Sequence, residues 1–385
     1  MRDEFDVSRL IRNTSKKWTD FPGTIGMHLA EMDYGVAPEI RDCLIHDAEA
    51  GTLGYVPAVD GAALREATAS YLAQFGPAPD TERIGLLPDV LSALSLTLDT
   101  FLAPGAPVVV PTPAYAPFLS LPALHGHPIV EVPSLFDVGM WHLDLDGLRA
   151  ALTKDSLLIL CNPWNPVGRS LTRTELEEVA TLIEATGARV FEDNIHAPLT
   201  LSAPFCPFAP LTPTTRARTV SAISASKGWN IAGLKCAQVV FHNPDDAARA
   251  GIGNDCALVG ARASVVAYRD CEGWIAQVQA NLRENARMIE ERVAHWPGVT
   301  APHVEATYIT WLDFSGAANR ALAEHPADYL REHAKVSLSP GQNFGRGYEQ
   351  SARMIFATTQ PVLNDALDRI EKALRGQDSP AIPVA

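Results

Sequence analysis

The stretch Ser224-Ala225-Ser226-Lys227-Gly228-Trp229-Asn230-Ile231-Ala232-Gly233-Leu234-Lys235 sets one lysine among small residues directly after an apolar run over residues 218–223. Such a run, broken by small and turn-forming residues, reads as a buried strand that delivers a polar loop at its end. Two other clusters have the same form. Asn162-Pro163-Trp164-Asn165-Pro166-Val167-Gly168-Arg169 follows the run 156–160, and Phe191-Glu192-Asp193-Asn194-Ile195-His196 completes the run 188–191. Further strand-like runs cover 106–110 and 237–241. Helix-like stretches alternate with these runs from about residue 86 to 245, which predicts an α/β fold with a mainly parallel sheet and crossover helices. The three polar clusters then gather at strand ends.

One crossover helix is marked by Thr172-Arg173-Thr174-Glu175, a capping-box pattern, with Gly187 as its stop. Another is predicted from Asp89 through Leu98, ended by Pro104-Gly105, and its N-terminus is a candidate phosphate seat. After residue 270 the texture changes to a charged amphipathic stretch over 274–293, short β-like pieces at 308–314 and 352–357, and a final helix over 362–374. The expected organisation is an N-terminal arm with part of a small domain over 1–45, a large domain over 46–275, a small α+β domain over 276–376 and a loose tail over 377–385.

With 385 residues, 47% of them hydrophobic, the chain is long enough for two cores. A formal net charge of -14 argues against a nucleic-acid partner, which calls for a basic face. The charged start Met1-Arg2-Asp3-Glu4 lacks the apolar core of a signal peptide, and no apolar run reaches membrane-spanning length, so a cytoplasmic protein without membrane contact is expected. The six cysteines form no Cys-x-x-Cys pair, which speaks against a metal site and for reduced thiols.

Lys227 fits a lysine that forms an imine with a carbonyl compound: such an amine must spend time unprotonated, which burial at a strand end provides. A single short match of this kind is more often a surface lysine in a Ser-rich loop. The agreement in order and spacing of several motifs reverses that. From Ala30-Glu31-Met32-Asp33-Tyr34, through the doubled Asn-Pro turn at 162–168 and Lys227, to Ser351-Ala352-Arg353-Met354-Ile355-Phe356-Ala357, the chain resembles the fold-type I enzymes of the class I/II aminotransferase family. Within that family it looks most like the bacterial cystathionine β-lyase and cysteine-S-conjugate β-lyase subgroup.

The resemblance implies a seven-stranded, mostly parallel sheet, a small domain built by both termini, and pyridoxal 5'-phosphate bound through Lys227. It implies Asp193 at the ring nitrogen, because the ring withdraws electrons only while that nitrogen is protonated. Alternation along the strand turns the rival Glu192 to the opposite face. His196 and Asn165 are implied at the ring oxygen and Tyr115 against the ring. The backbone amides of Val90 and Leu91, the hydroxyl of Ser224 and Lys235 are implied around the phosphate. Tyr55 would reach the phosphate of a second copy, which makes a homodimer with a shared active site. Arg353, Asn165 and Tyr34 would hold a small amino-acid substrate, with Lys227 and Tyr115 as the catalytic pair.

Two departures from the subgroup stand beside the expected cofactor position: Trp164 replaces a common histidine, and Glu192-Asp193-Asn194 replaces Ser-Asp-Glu. The implied reaction is β-elimination from an S-substituted L-cysteine. Alternatives carried by the same residues are amino transfer and decarboxylation or oxidative deamination. A regulatory binding role is a fourth.

Overall fold

Seven strands lie side by side in one sheet of the computed structural model, which describes residues 6–384. They are β1 (Ile84–Leu87), β2 (Val108–Thr112), β3 (Ile129–Pro133), β4 (Leu157–Cys161), β5 (Arg189–Asp193), β6 (Thr219–Ile223) and β7 (Ala237–Phe241). Their spatial order is β1-β7-β6-β5-β4-β2-β3. Only β7 runs against its neighbours, β1 and β6, so the sheet is mostly parallel as expected. The central strands are mainly apolar and buried, as strands covered on both faces tend to be, with polar residues of β5, β6 and β7 buried among them.

Register fixes what the strand ends present. Cys161 pairs with Asp193, and Asp193 with Ala222, so β4, β5 and β6 finish level with one another. The loops carrying residues 162–169, 194–196 and 224–227 therefore leave the sheet together.

Ahead of the sheet come α1 (Pro38–Ala50) and α2 (Ala58–Leu72). The helix α3 (Val90–Phe101) starts on Asp89, whose Oδ1 accepts from the Ser92 amide at 2.8 Å. In α4 (Arg173–Thr186) the expected capping box is formed: Thr172 Oγ1 accepts from the Glu175 amide, and Glu175 Oε2 from the Thr172 amide. Gly187 closes this helix with a φ of 73°, a left-handed value that glycine adopts without strain. The single turn α5 (Ala225–Gly228) carries Lys227 straight off β6, and α6 (Leu258–Asp270) packs on α1 and α2.

A second sheet contains β8 (Ile309–Asp313), β9 (Ser339–Pro340) and β10 (Ser351–Ile355) in the order β8-β10-β9, all antiparallel. Arg353 sits on its middle strand, paired with Trp311 on one side and Ser339 on the other. The long helix α7 (Glu272–Val293) and the terminal α8 (Gln360–Leu374) cover this region. Residues from both ends of the chain build its core: Leu10, Trp18 and Ile25 share one apolar cluster with Leu282, Ile309, Leu363 and Ile370. Ile25–Gly26 also pairs in parallel with Val336–Ser337.

The tail corrects the sequence reading. Residues 377–384 are docked rather than loose: the Ser379 amide donates to the His333 carbonyl at 2.8 Å, the Ile382 amide to the Gly23 carbonyl at 3.0 Å, and Ile382 is buried. Buried apolar contact and paired amides are what hold a terminus down.

Candidate active site

Between the two sheets lies a cavity of about 260 Å³, on whose wall nine of the twelve candidate residues meet: Val90, Leu91, Tyr115, Asn165, Asp193, His196, Lys227, Lys235 and Arg353. They arrive from several separate pieces of secondary structure. The start of α3 supplies Val90 and Leu91, the loop after β2 supplies Tyr115, the ends of β4 and β5 supply Asn165, Asp193 and His196, and α5 supplies Lys227. Arg353 comes across from β10 of the second sheet.

Lys227 Nζ donates to the Ala30 carbonyl at 3.0 Å, an oxygen that also accepts from Tyr308 Oη at 3.1 Å. This contact brings the N-terminal segment onto the cavity. Burial, reinforced by the Arg353 charge, pushes the Lys227 amine down to about 8, so the neutral, nucleophilic form is within reach near neutral pH. Asp193 lies at the end of β5 with one oxygen accepting from the Ile195 amide at 2.9 Å. Burial raises its carboxyl to about 7. That is the state of a carboxylate waiting for a cationic partner, because a positive charge beside it would restore ionisation.

His196 is enclosed, and its Nδ1 has no hydrogen-bond partner. Burial, then the Lys227 and Arg353 charges, holds its pKa down to about 3, so the ring is neutral. Arg353 is buried too. One guanidinium nitrogen donates to Asn165 Oδ1 at 3.2 Å, the other to the His28 carbonyl at 2.9 Å and to Ser339 Oγ at 3.2 Å. Nε is unpaired, and no carboxylate among the described residues lies within ion-pair distance of it. Burial without a counter-charge lowers its pKa to about 10.

Three candidates are not on the wall. Ser224 is buried, and its hydroxyl donates to the Cys236 carbonyl and caps α5; Ser226, two residues on, turns into the cavity instead. The tight turn of α5 decides which serine faces in, and the sequence does not distinguish them. Tyr34 is fixed in the core by Oη donating to the Thr358 carbonyl at 2.8 Å and by the Asn285 amide, so it offers no group to a substrate. Tyr55 stands 99% exposed and does not line the cavity of its own chain.

The two departures also lie elsewhere. Trp164 is buried with Nε1 on the Pro113 carbonyl at 3.0 Å, and Asn194 Nδ2 donates to the Asn162 carbonyl at 3.0 Å. Glu192 points to the opposite face, as alternation requires, and accepts from the Phe208 and Ala209 amides and Ser221 Oγ. Two residues that carried no role of their own in the site on sequence grounds are Ala30, whose carbonyl holds Lys227, and Asp89, whose Oδ2 pairs with Lys235 Nζ at 2.6 Å.

These groups fit pyridoxal 5'-phosphate. An amine with lowered pKa can take the aldehyde, a buried carboxyl with an open oxygen can hold the ring nitrogen, and the unpartnered His196 Nδ1 lies on the same wall. The phosphate seat would be the free first-turn amides of α3, Ser226 and Lys235.

A sequence model of the aminotransferase class I and II family matches residues 24–370. The cystathionine β-lyase of Corynebacterium glutamicum is 30% identical over 96% of this chain and 99% of its own length. PatB, a cystathionine β-lyase of Bacillus subtilis, is 30% identical over 90% of this chain and 92% of its own. Among solved structures, a protein of Corynebacterium diphtheriae assigned as a PLP-dependent β-cystathionase superposes with a TM-score of 0.89 at 30% identity, covering 97% of this chain and 99% of the other. The chain belongs to the class I and II aminotransferase family.

Proposed function

We propose that this protein is a pyridoxal-phosphate-dependent carbon–sulfur β-lyase that cleaves the Cβ–S bond of an S-substituted L-cysteine, releasing a thiol, pyruvate and ammonia. The observation that carries the reading is a single cavity joining a neutral-prone Lys227, a buried Asp193 and an Arg353 without a counter-ion, in a chain 30% identical to cystathionine β-lyases over almost its full length. The bound cofactor supplies an electron sink for the carbanion that forms when the α-proton leaves.

The chain's own residues do the rest. Arg353 takes the substrate carboxylate in the bidentate geometry for which a guanidinium is built, with Asn165 holding its rim. Lys227 removes the proton at Cα and stays on that face of the substrate, held within reach by the Ala30 carbonyl. Tyr115, on the same wall with its hydroxyl kept protonated by burial, is placed to donate to the leaving sulfur. Asp193 keeps the ring nitrogen protonated.

Tyr55 supports a homodimer: it is fully exposed, and Leu53 and Val59 beside it are also largely exposed, an apolar patch that a second copy would cover while bringing Tyr55 to its phosphate site. Light scattering of the eluted protein checks the dimer. Amino transfer is separated by one assay. Cofactor-loaded protein is given cystathionine or S-methyl-L-cysteine without any 2-oxo acid, and thiol, pyruvate and ammonia are assayed together. Equal release of all three is expected; turnover only after a 2-oxo acid is added would overturn the lyase reading in favour of transamination.

A further inference from the structure

A second cavity, of about 200 Å³, opens on the face of the central sheet away from Asp193. Its body is apolar: Phe75 and the rings of Pro207 and Pro210 line it, and a Cβ on Gly76 would stand in ordinary contact with both prolines. Its polar groups are different in kind. Arg216, at the end of the short helix Pro213–Arg218, makes no side-chain hydrogen bond or ion pair among the described residues. Arg83 is held only by Asp80, at 3.4 Å, and Asp80 is itself exposed and occupied in capping the Glu82 amide. His242 lies between them, and both arginines bear on it electrostatically.

Behind His242 runs a hydrogen-bonded line. Its Nε2 meets Ser221 Oγ at 2.9 Å, and Ser221 Oγ donates to Glu192 Oε2 at 2.9 Å, so Nε2 carries the hydrogen and Nδ1 is the bare nitrogen of the neutral ring. Glu192, behind this line, is held by that bond and by the Phe208 and Ala209 amides, and it pairs with neither arginine. In a chain of net charge -14, two arginines face an apolar cleft whose one lining acid, Asp80, is engaged with Arg83, which leaves Arg216 without a counter-charge among the described residues.

We infer that this cleft is a binding site for a small organic anion, a carboxylate or phosphate monoester on a short apolar body, held between Arg83 and Arg216 with its apolar part against Phe75 and the two prolines. The site is separate from the reaction cavity, since none of its lining residues is shared with that cavity. Glu192 links it to the strand that carries Asp193, one residue away.

Phenyl phosphate and phenylacetate serve as probes on the cofactor-loaded protein, with binding followed by calorimetry. Removing one charge-assisted contact should weaken phenyl phosphate by at least about tenfold in Arg216→Gln or in Arg83→Gln, with β-lyase turnover and the circular dichroism spectrum unchanged. Arg353→Met should leave phenyl phosphate binding as it is, and phenylacetate is titrated into that variant so that the substrate clamp cannot take it. Binding of phenyl phosphate alone would narrow the site to phosphate monoesters. Equal affinity in wild type and Arg216→Gln, loss of phenyl phosphate in Arg353→Met, or no binding of either probe at millimolar concentration would overturn the assignment.

Discussion

Two buried arginines divide the molecule into what holds it together and what it uses. Arg169, 1% exposed, donates to Glu175 through two nitrogens, to Glu305 at 2.9 Å and to the Trp141 carbonyl at 2.6 Å. Burial works against its charge, and the two carboxylates outweigh burial and raise its pKa. Arg353, 7% exposed, has three neutral acceptors, an unpaired Nε and the Phe344 ring 4.8 Å from its guanidinium carbon. Its pKa falls. A buried charge whose counter-ion is missing is costly to keep, and a substrate carboxylate would complete what the fold leaves incomplete. The same contrast separates Glu192, satisfied on one face of β5, from Asp193 on the other.

The sharpest way to break this division is at Lys227, which belongs with the incomplete set. Lys227→Ala should lower turnover by at least about a thousandfold, the upper range for loss of a general base, while the cofactor-free protein melts no earlier than wild type. Activity within tenfold of wild type would remove the lysine from the chemistry.

The opposite outcome is expected at the complete site. Arg169→Met strands Glu175 and Glu305 in a partly buried place and should cost about 3 kcal/mol or more of unfolding free energy, read by urea titration. A loss below about 1 kcal/mol would mean that the network contributes little to stability. Arg353→Met should change stability by less than about 1 kcal/mol, because it removes an uncompensated charge, yet raise the KM for an S-substituted cysteine roughly 10- to 100-fold, as expected for losing a charge-assisted contact. If instead this variant unfolds like Arg169→Met, the two arginines do not differ in kind.

The sequence carried most of this division, and the reasons for its failures are physical. All five apolar runs became strands within about two residues, because strands covered on both faces are mostly apolar. The two strands of the seven-stranded sheet that it did not mark are edges: β1 contains Gly85 and runs straight into Pro88-Asp89, and β3 is mostly half-exposed, with only Val132 buried. The nine wall residues were recognisable because each sits in a motif. Tyr34, Ser224 and the tail were not, since their contacts are with Asn285 and Thr358, Cys236, and Gly23 and His333, set by packing between distant segments. Arg169 and Arg353 look alike in sequence, and only the placing of Glu175 and Glu305 makes one of them structural.

The remaining effect is a slope in stability rather than a loss of turnover. In the cofactor-free protein the Asp193 carboxyl is raised by burial from 3.8 to about 7, so between those values the folded state holds a proton that the unfolded state has lost. Stability contributed by Asp193 is therefore full at low pH and is lost as pH rises toward 7. Asp193→Asn cannot titrate, so its stability relative to wild type should climb by about 1.4 kcal/mol per pH unit over that window. His196 runs the other way: burial lowers it from 6.5 to about 3, so the folded state refuses a proton that the unfolded chain accepts, and stability is lost as pH falls through that range. The two residues largely offset each other in wild type, and removing Asp193 exposes the slope of His196. A gap between variant and wild type that stays flat from pH 4 to 7 would mean that Asp193 is ionised in the empty cavity and resembles Glu192 more than Arg353. If Asp193 holds the ring nitrogen of bound cofactor as proposed, that nitrogen would supply the missing charge and the carboxyl would ionise, so the pH dependence of the gap should disappear in the loaded protein while cofactor retention drops in the asparagine variant.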